Sequence, residues 1–219
     1  SRDALDPDPL PDSLVVVGAG YIGMELSTAL AKLGVDVTVV EMLDSILPAY
    51  GPDLTPPVRE RAEELGIEFN FGEAASSWEY GRNGIVVKTE TEDGETHSYR
   101  GDNVLVAVGR QPVTDTLNLD AAGIETTEHG FVETDDRTRT THDHIMAVGD
   151  VAGEPMLAHN ASAEGEVAAA VAAGEVERVD HRAIPAAVFT DPEIGTVGLS
   201  KHEAEAEGRE VTVGQFPFT

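Results

Sequence analysis

A short apolar run, Leu14-Val15-Val16-Val17, ends in Gly18-Ala19-Gly20-Tyr21-Ile22-Gly23, and an acidic residue, Glu41, stands eighteen residues beyond the last of these glycines. That spacing suits a chain whose backbone must come against a pyrophosphate. Gly18 allows a tight turn out of a buried strand, and Gly20 leaves no side chain between phosphate and backbone. Gly23 lets the following helix pack close, so that its N-terminal N–H groups and dipole face the phosphates. A second apolar run, residues 35–40, delivers Glu41 to the place where a carboxylate accepts hydrogen bonds from the adenosine ribose hydroxyls. The same carboxylate repels a 2′-phosphate and no Arg stands beside it, which favours NAD over NADP. A glycine-rich turn alone is weak evidence. Strand, turn, helix, strand and acid in register make a nucleotide site.

Other residues are compatible with chemistry or with plain structure. Gly149-Asp150 follows an apolar run and reads either as a strand-to-turn junction or as a ligand-holding turn. Residues 107–112 are open to the same two readings. Met156-Leu157-Ala158-His159 opens an alanine-rich helix, and Glu25 reads by itself as a solvated acid favoured by the helix dipole. His142 and His144 flank Asp143, a spacing that suits a metal, but no third ligand is in view and a solvated loop is the better reading.

The elements that would position these residues follow from periodicity and turn signals. Strand, helix (residues 21–33), turn at Gly34, strand to Glu41, helix (53–65) and short strand (67–71) make a βαβαβ unit, parallel and right-handed. Residues 76–80, 85–91 and 95–99, separated by Gly81, Asn83-Gly84 and Asp93-Gly94, read as an antiparallel meander. A buried strand at 104–108 follows. Beyond a polar stretch (133–144) come a strand at 145–148, a helix at 159–173, β-like pieces at 187–190 and 194–199, a short helix from Ser200, and a last strand at 211–218. Residues 1–13, with three prolines and four aspartates, read as a linker. The character of the chain changes after about residue 115. The last strand has no partner in sequence, so the chain reads as an internal fragment.

Composition limits the function classes. Lys+Arg number 14 against 41 Asp+Glu, a formal charge of −27. Such a surface repels nucleic acid and anionic membranes. The acid is spread along the chain (residues 60–68, 90–95 and 203–210) and coexists with 41% hydrophobic residues, which opposes disorder. It fits a halophilic protein, since at 1 M salt the Debye length falls to about 3 Å and self-repulsion fades. There is no cysteine, hence no disulfide, thiolate metal site or cysteine nucleophile in this chain. No apolar stretch reaches a membrane span of about 18 residues and no leader is evident, so a cytoplasmic setting is expected.

Taken in order, VVVGAGYIGMEL (15–26), VTVVE (37–41), LVAVGRQP (105–112), IMAVGDV (145–151), PMLAHNASAEG (155–165) and FTDPEIGTVGLS (189–200) closely resemble the pyridine-nucleotide disulfide oxidoreductases, and among them the dihydrolipoamide dehydrogenases. The resemblance covers essentially the whole chain. It implies that Gly18 to Gly23 and Glu41 hold NAD, with Glu25 near the nicotinamide end, the Ala75 backbone beside the adenine and Gly109 beside the nicotinamide half. It implies that Asp150 binds the ribityl chain of FAD and that the backbone N–H groups of Met156, Leu157, Ala158 and His159 meet the flavin ring. Helix-start donors stabilise negative charge on a reduced flavin. By the same resemblance, residues 14–133 are the NAD-binding domain, 134–180 the C-terminal part of an FAD domain and 181–219 the start of a dimerisation domain. The implied parent is a homodimer attached to a 2-oxo acid dehydrogenase complex, oxidising dihydrolipoamide through FAD and a redox disulfide with hydride passed to NAD.

Three departures set what this chain can do alone. The family's own FAD fingerprint, its cysteine pair and its C-terminal His-Glu pair have no match here, so no catalytic residue is assigned. NAD binding is expected, and FAD only with the missing N-terminal part supplied. Two other classes remain compatible with the residues: a stand-alone NAD-binding sensor module, and one subunit of a split flavoenzyme.

Overall fold

The computed structural model describes residues 2–216. These fall into two compact units: one runs to Gly109 and resumes at Ala187, and the other is Arg110–Ala186. In the first, β1 (Ser13–Val17), α1 (Tyr21–Lys32), β2 (Asp36–Glu41), α2 (Thr55–Glu64) and β3 (Glu68–Phe71) alternate as the periodicity predicts. Then β4 (Glu73–Gly81), β5 (Gly84–Thr91) and β6 (Thr96–Gly101) form an antiparallel sheet, and β7 (Asn103–Val106) returns to the parallel sheet, whose order is β3-β2-β1-β7. The expected α/β class, parallel βαβαβ with a β-meander, is what the chain adopts.

β1 explains the layering. Successive side chains point to opposite faces. Leu14 and Val16 enter the core shared with Met24 and Leu30 of α1 and Val58 and Ala62 of α2. Val15 and Val17 enter a second core with Val40 and with Val87 of β5. Both faces are covered, so the strand is apolar at every position from Leu14 to Val17 rather than at alternate ones. The parallel register sets Val17 opposite Val40 and Val106, and Glu41 opposite Phe71. Every strand of this sheet therefore ends at one edge, where the loops meet.

The second unit is less regular than the sequence suggests. It contains α3 (Leu119–Ala122), which no sequence signal announced, and α4 (Ala158–Ala172). The strand expected at 145–148 is absent. Met146 makes a single antiparallel bridge to Arg139, and the Ala147 N–H donates to the Thr138 carbonyl at 3.0 Å. A strand exists only where a neighbour extends the ladder, and here that neighbour turns away at once: Thr138 has φ +63°.

The chain then forms β8 (Ala186–Val188), β9 (Ile194–Thr196), which pairs with it, and α5 (Lys201–Ala206), started by a capping box between Ser200 and Glu203. Val188 (fully buried) and Ile194 join the core of the first unit. Asp191 in the turn between them pairs with Lys32 of α1 at 2.9 Å and Arg61 of α2 at 3.1 Å. Those hydrogen bonds, from Lys32 first and then Arg61, hold its carboxyl below the usual range. The strand expected at 211–218 is also corrected: residues 211–216 have no ladder partner and are not a strand, and 217–218 lie outside the described residues. The expected linker is partly structured, with a single 3-10 turn at Arg2–Leu5.

Candidate functional site

The turn after β1 is shaped by two steric facts. Gly18 has φ +101°, and a Cβ built there would lie 2.6 Å from the Ala107 carbonyl oxygen. A Cβ at Gly23 would lie 2.0 Å from the Gly18 carbonyl oxygen. Both glycines are therefore required by close backbone packing. Gly20 is different: nothing lies within 4 Å of a Cβ added there, so the space in front of it is open. Gly20 is also the N-cap of α1, no side chain caps the helix, and its first turn carries no acid. The first N–H groups of a helix have no intrahelical acceptor. An anion approaching Gly20 meets those donors and the positive end of the dipole.

Glu41 lies at the same edge. Its Oε2 accepts the Ala19 N–H at 2.6 Å and its Oε1 accepts the Leu43 N–H at 2.9 Å, with 7% of the residue exposed. Two of roughly four acceptor positions on the carboxylate are thus used to orient it. The others can accept further donors. Ala19, fully buried, is held from both sides, because its carbonyl accepts the Leu47 N–H at 2.8 Å. Leu47 was not singled out in the sequence. It adopts φ +50° and buries its side chain, so the loop after Glu41 folds back onto the glycine turn.

The structure brings Gly18, Ala19, Gly20, Gly23 and Glu41 into one constellation. Tyr21 and Ile22 begin α1 beside them, Tyr21 packing on the core. Ala75 is exposed on β4 at a bulge, where the register shifts between Ala75 and Ser77. Gly109 is exposed, with φ +134° and open space around it. Glu25 is half-buried on α1 and its Oε1 accepts the Phe189 N–H at 2.9 Å.

In the second unit, Asp150 and Met156 are joined by Arg110. Its Nη1 donates to Asp150 Oδ2 at 3.0 Å and its Nη2 donates to the Met156 carbonyl. Asp150 lies in the 3-10 turn Gly149–Val151, against the start of α4: a Cβ at Gly149 would be 2.8 Å from that of Ala161. Glu164, one turn further on, accepts the Gly149 N–H at 2.6 Å and the Asn160 amide at 2.8 Å. α4 begins after Leu157 with no side-chain cap, so the N–H groups of Ala158 and His159 are without intrahelical acceptors. His159 ties its Nε2 to the Pro185 carbonyl at 2.7 Å. Arg110 thus joins the Asp150 carboxylate to the 156–159 segment, beside the donors that open α4. Arg110 and Glu164 were quoted in motifs but not recognised as supports here, because their partners are 40 and 15 residues away.

His142 Nε2 donates to the Ala122 carbonyl at 2.7 Å, closing the turn after α3. Its ring lies 5.9 Å from that of His144. Among the described residues no group of three or more His, Cys, Asp or Glu is placed to hold a metal ion.

One buried carboxylate was not anticipated. Glu73, 7% exposed, accepts hydrogen bonds from Thr89 Oγ1 at 2.6 Å and from Tyr99 Oη at 2.9 and 3.0 Å, and lies 2.9 Å from His97 Nδ1. Burial alone would raise its pKa. The bonds from Thr89, Tyr99 and His97 outweigh that and hold it below 4.5. Burial, and then the Glu73 carboxylate, push the Tyr99 phenol up to about 12. A carboxyl depressed in the folded state adds stability above its unfolded pKa, and that stability is lost as pH falls through the folded value. The stability gap between the unsubstituted chain and Glu73→Gln is therefore expected to shrink as the pH falls below about 4.5. Denaturation of both chains from pH 5 to pH 3 checks this. A gap that widens on acidification refutes the assignment.

Residues 1–165 match the family model for pyridine nucleotide-disulphide oxidoreductases, and residues 184–219 the model for their dimerisation domain. The chain is 63% identical over 218 residues to a dihydrolipoyl dehydrogenase of Halobacterium salinarum and 61% identical over 219 residues to one of Haloferax volcanii. All of this chain is covered in each case, but 46% of the relative, so the chain spans about half the length of the curated proteins it matches. Among solved structures it is similar to LpdA from Mycobacterium tuberculosis, with TM-score 0.80, 35% identity, and coverage of 90% of this chain and 42% of that one. It is also similar to the HOCl-induced flavoprotein disulfide reductase RclA from Escherichia coli, with TM-score 0.82, 28% identity, and coverage of 92% and 46%. No helix among the described residues is long and apolar enough to cross a membrane.

Proposed function

The chain belongs to the pyridine nucleotide-disulphide oxidoreductases, and from that premise we propose that it is the NAD-binding portion of a halophilic dihydrolipoyl dehydrogenase. It carries with it part of the FAD domain and the opening of the dimerisation domain, over the boundaries 14–133, 134–180 and 181–219. The parent reaction is the reoxidation of dihydrolipoamide with hydride delivered to NAD. We further propose that the parent works in the cytoplasm as a homodimer serving a 2-oxo acid dehydrogenase complex; the match to the dimerisation domain supports the homodimer.

The observation that carries the nucleotide reading is Glu41 at the mouth of the glycine turn, both oxygens oriented by backbone N–H groups. In this reading Gly20 and the start of α1 receive the pyrophosphate, Glu41 the adenosine ribose, and the Ala75 backbone the adenine. Gly109 and Glu25 lie towards the nicotinamide. Asp150 and the 156–159 segment are one side of the FAD site, Asp150 toward the ribityl chain and the helix-start N–H groups toward the ring. FAD, when bound, supplies the two-electron relay between thiols and nicotinamide. This chain has no cysteine, so the residues present bind and orient nucleotides and leave the dithiol chemistry to the rest of the parent.

Calorimetric titration with NAD and NADP tests this at molar salt. NAD binds more tightly. Glu41→Ala weakens NAD by about 1–3 kcal/mol, as expected when ribose hydroxyls and the Ala19 N–H lose a charged acceptor. It also narrows the gap to NADP by removing the charge that repels a 2′-phosphate. Equal affinities for the two nucleotides in the unsubstituted chain would refute the assignment.

A further inference from the structure

The polar cluster around Glu73 is not used by the reading above, and its placement is not that of an ordinary stability device. Glu73 opens β4 and is buried among Thr89 of β5 and His97 and Tyr99 of β6. One carboxylate therefore pins all three strands of the antiparallel sheet at a single point. Tyr99 also packs against the core of Val15, Val17, Val40 and Val87, in which Val17 and Val40 immediately precede Gly18 and Glu41.

A continuous path joins this point to Glu41. Glu41 Oε1 accepts the Leu43 N–H at 2.9 Å, the Leu43 carbonyl accepts the Gly72 N–H at 3.1 Å, and Glu73 is the next residue. Two residues beyond, β4 bulges at Ala75 and Ser76, and the Ser76 hydroxyl donates to the Lys88 carbonyl at 3.2 Å. A bulge re-aims the backbone locally and is held only as firmly as its flanking pairs. Here the flanking pairs are Ala75 with Thr89 and Ser77 with Lys88, and Thr89 is the residue whose hydroxyl Glu73 holds.

The geometry points to Glu73 as a positioning residue for the adenosine half of the nucleotide site: with Thr89, His97 and Tyr99 it fixes the backbone of residues 72–76 as the wall against which an adenine lies. This rests on the nucleotide reading above. Glu73 does not touch the ligand. It acts through Ala75, by holding the bulge at a constant distance from Glu41. A buried carboxylate with three donors is a stiff anchor, because releasing any one of them leaves a buried polar group unpaired.

The test uses the 219-residue chain at molar salt with AMP as probe for the adenosine half, NMN for the nicotinamide half, and NAD for both. In the unsubstituted chain, amide resonances of residues 72–76 shift on adding AMP. Glu73→Gln weakens AMP and NAD by about five- to tenfold, the size expected for misplacing one or two hydrogen-bonding groups, and leaves NMN unchanged. Tyr99→Phe, which removes one donor and keeps the ring packing, weakens AMP by about two- to threefold. If Glu73→Gln does not fold, the amide shifts and Tyr99→Phe decide the matter. Shifts that leave out residues 72–76, an AMP affinity indifferent to both substitutions, or equal weakening of AMP and NMN would overturn the proposal. Absence of AMP and NAD binding before any substitution would instead bring down the nucleotide reading itself, and this inference with it.

Discussion

Gly23→Ala should unfold or severely destabilise the chain, while Gly20→Ala, three residues earlier, should leave it folded and abolish tight nucleotide binding. At position 23 a Cβ would sit 2.0 Å from a backbone oxygen, that of Gly18, and 3.6 Å from the Ala107 side chain. Neither the glycine turn nor α1 can yield without moving β1, whose neighbours β2 and β7 are locked in register on both sides. Overpacking of that kind costs at least about 3 kcal/mol, at the upper end of what single substitutions do. At position 20 there is nothing within 4 Å, and φ is −68°, which alanine accepts. The added methyl meets nothing until a pyrophosphate arrives, so stability changes by less than about 0.5 kcal/mol. NAD affinity falls more than about tenfold because the phosphate can no longer reach the helix-start N–H groups. Urea denaturation and NAD titration on both variants separate the two effects. A Gly20→Ala chain that binds NAD normally would remove the pyrophosphate from this turn.

Folding should depend on salt to an extent unusual for a chain of this size. The formal charge is −27, and the nine Lys or Arg ion pairs seen among the described residues are mostly exposed. Pairs of that kind contribute roughly 0–1 kcal/mol each and do not offset repulsion among the excess carboxylates. Raising KCl from 0.1 to 3 M shortens the Debye length from about 10 Å to below about 3 Å. The melting temperature is expected to rise by at least about 10 °C, which for about 200 residues corresponds to roughly 3–5 kcal/mol. Circular dichroism melts across that range decide it, and a melting temperature independent of salt would end the halophilic explanation of the composition. The similarity to Halobacterium and Haloferax enzymes is in line with the same reading.

Local physics determined most of the first unit from the sequence alone. β1 is apolar from Leu14 to Val17 because both faces are covered, and the turn that follows needs its glycines for reasons visible in their spacing. Glu41 is where a six-residue strand in register with β1 must end. Such elements are set by contacts between near neighbours or by a period, and both are written in the chain. Tertiary structure alone decided the remainder. The apolar run at 145–148 looks like a strand but is not one, since a ladder requires a partner and periodicity does not say whether one is present. Glu73 gave no signal, as its donors lie 16, 24 and 26 residues away. Arg110 meets Asp150 across 40 residues, and Asp191 reaches Arg61 across 130. A buried or paired charge is defined by what surrounds it, and only the folded chain supplies those surroundings.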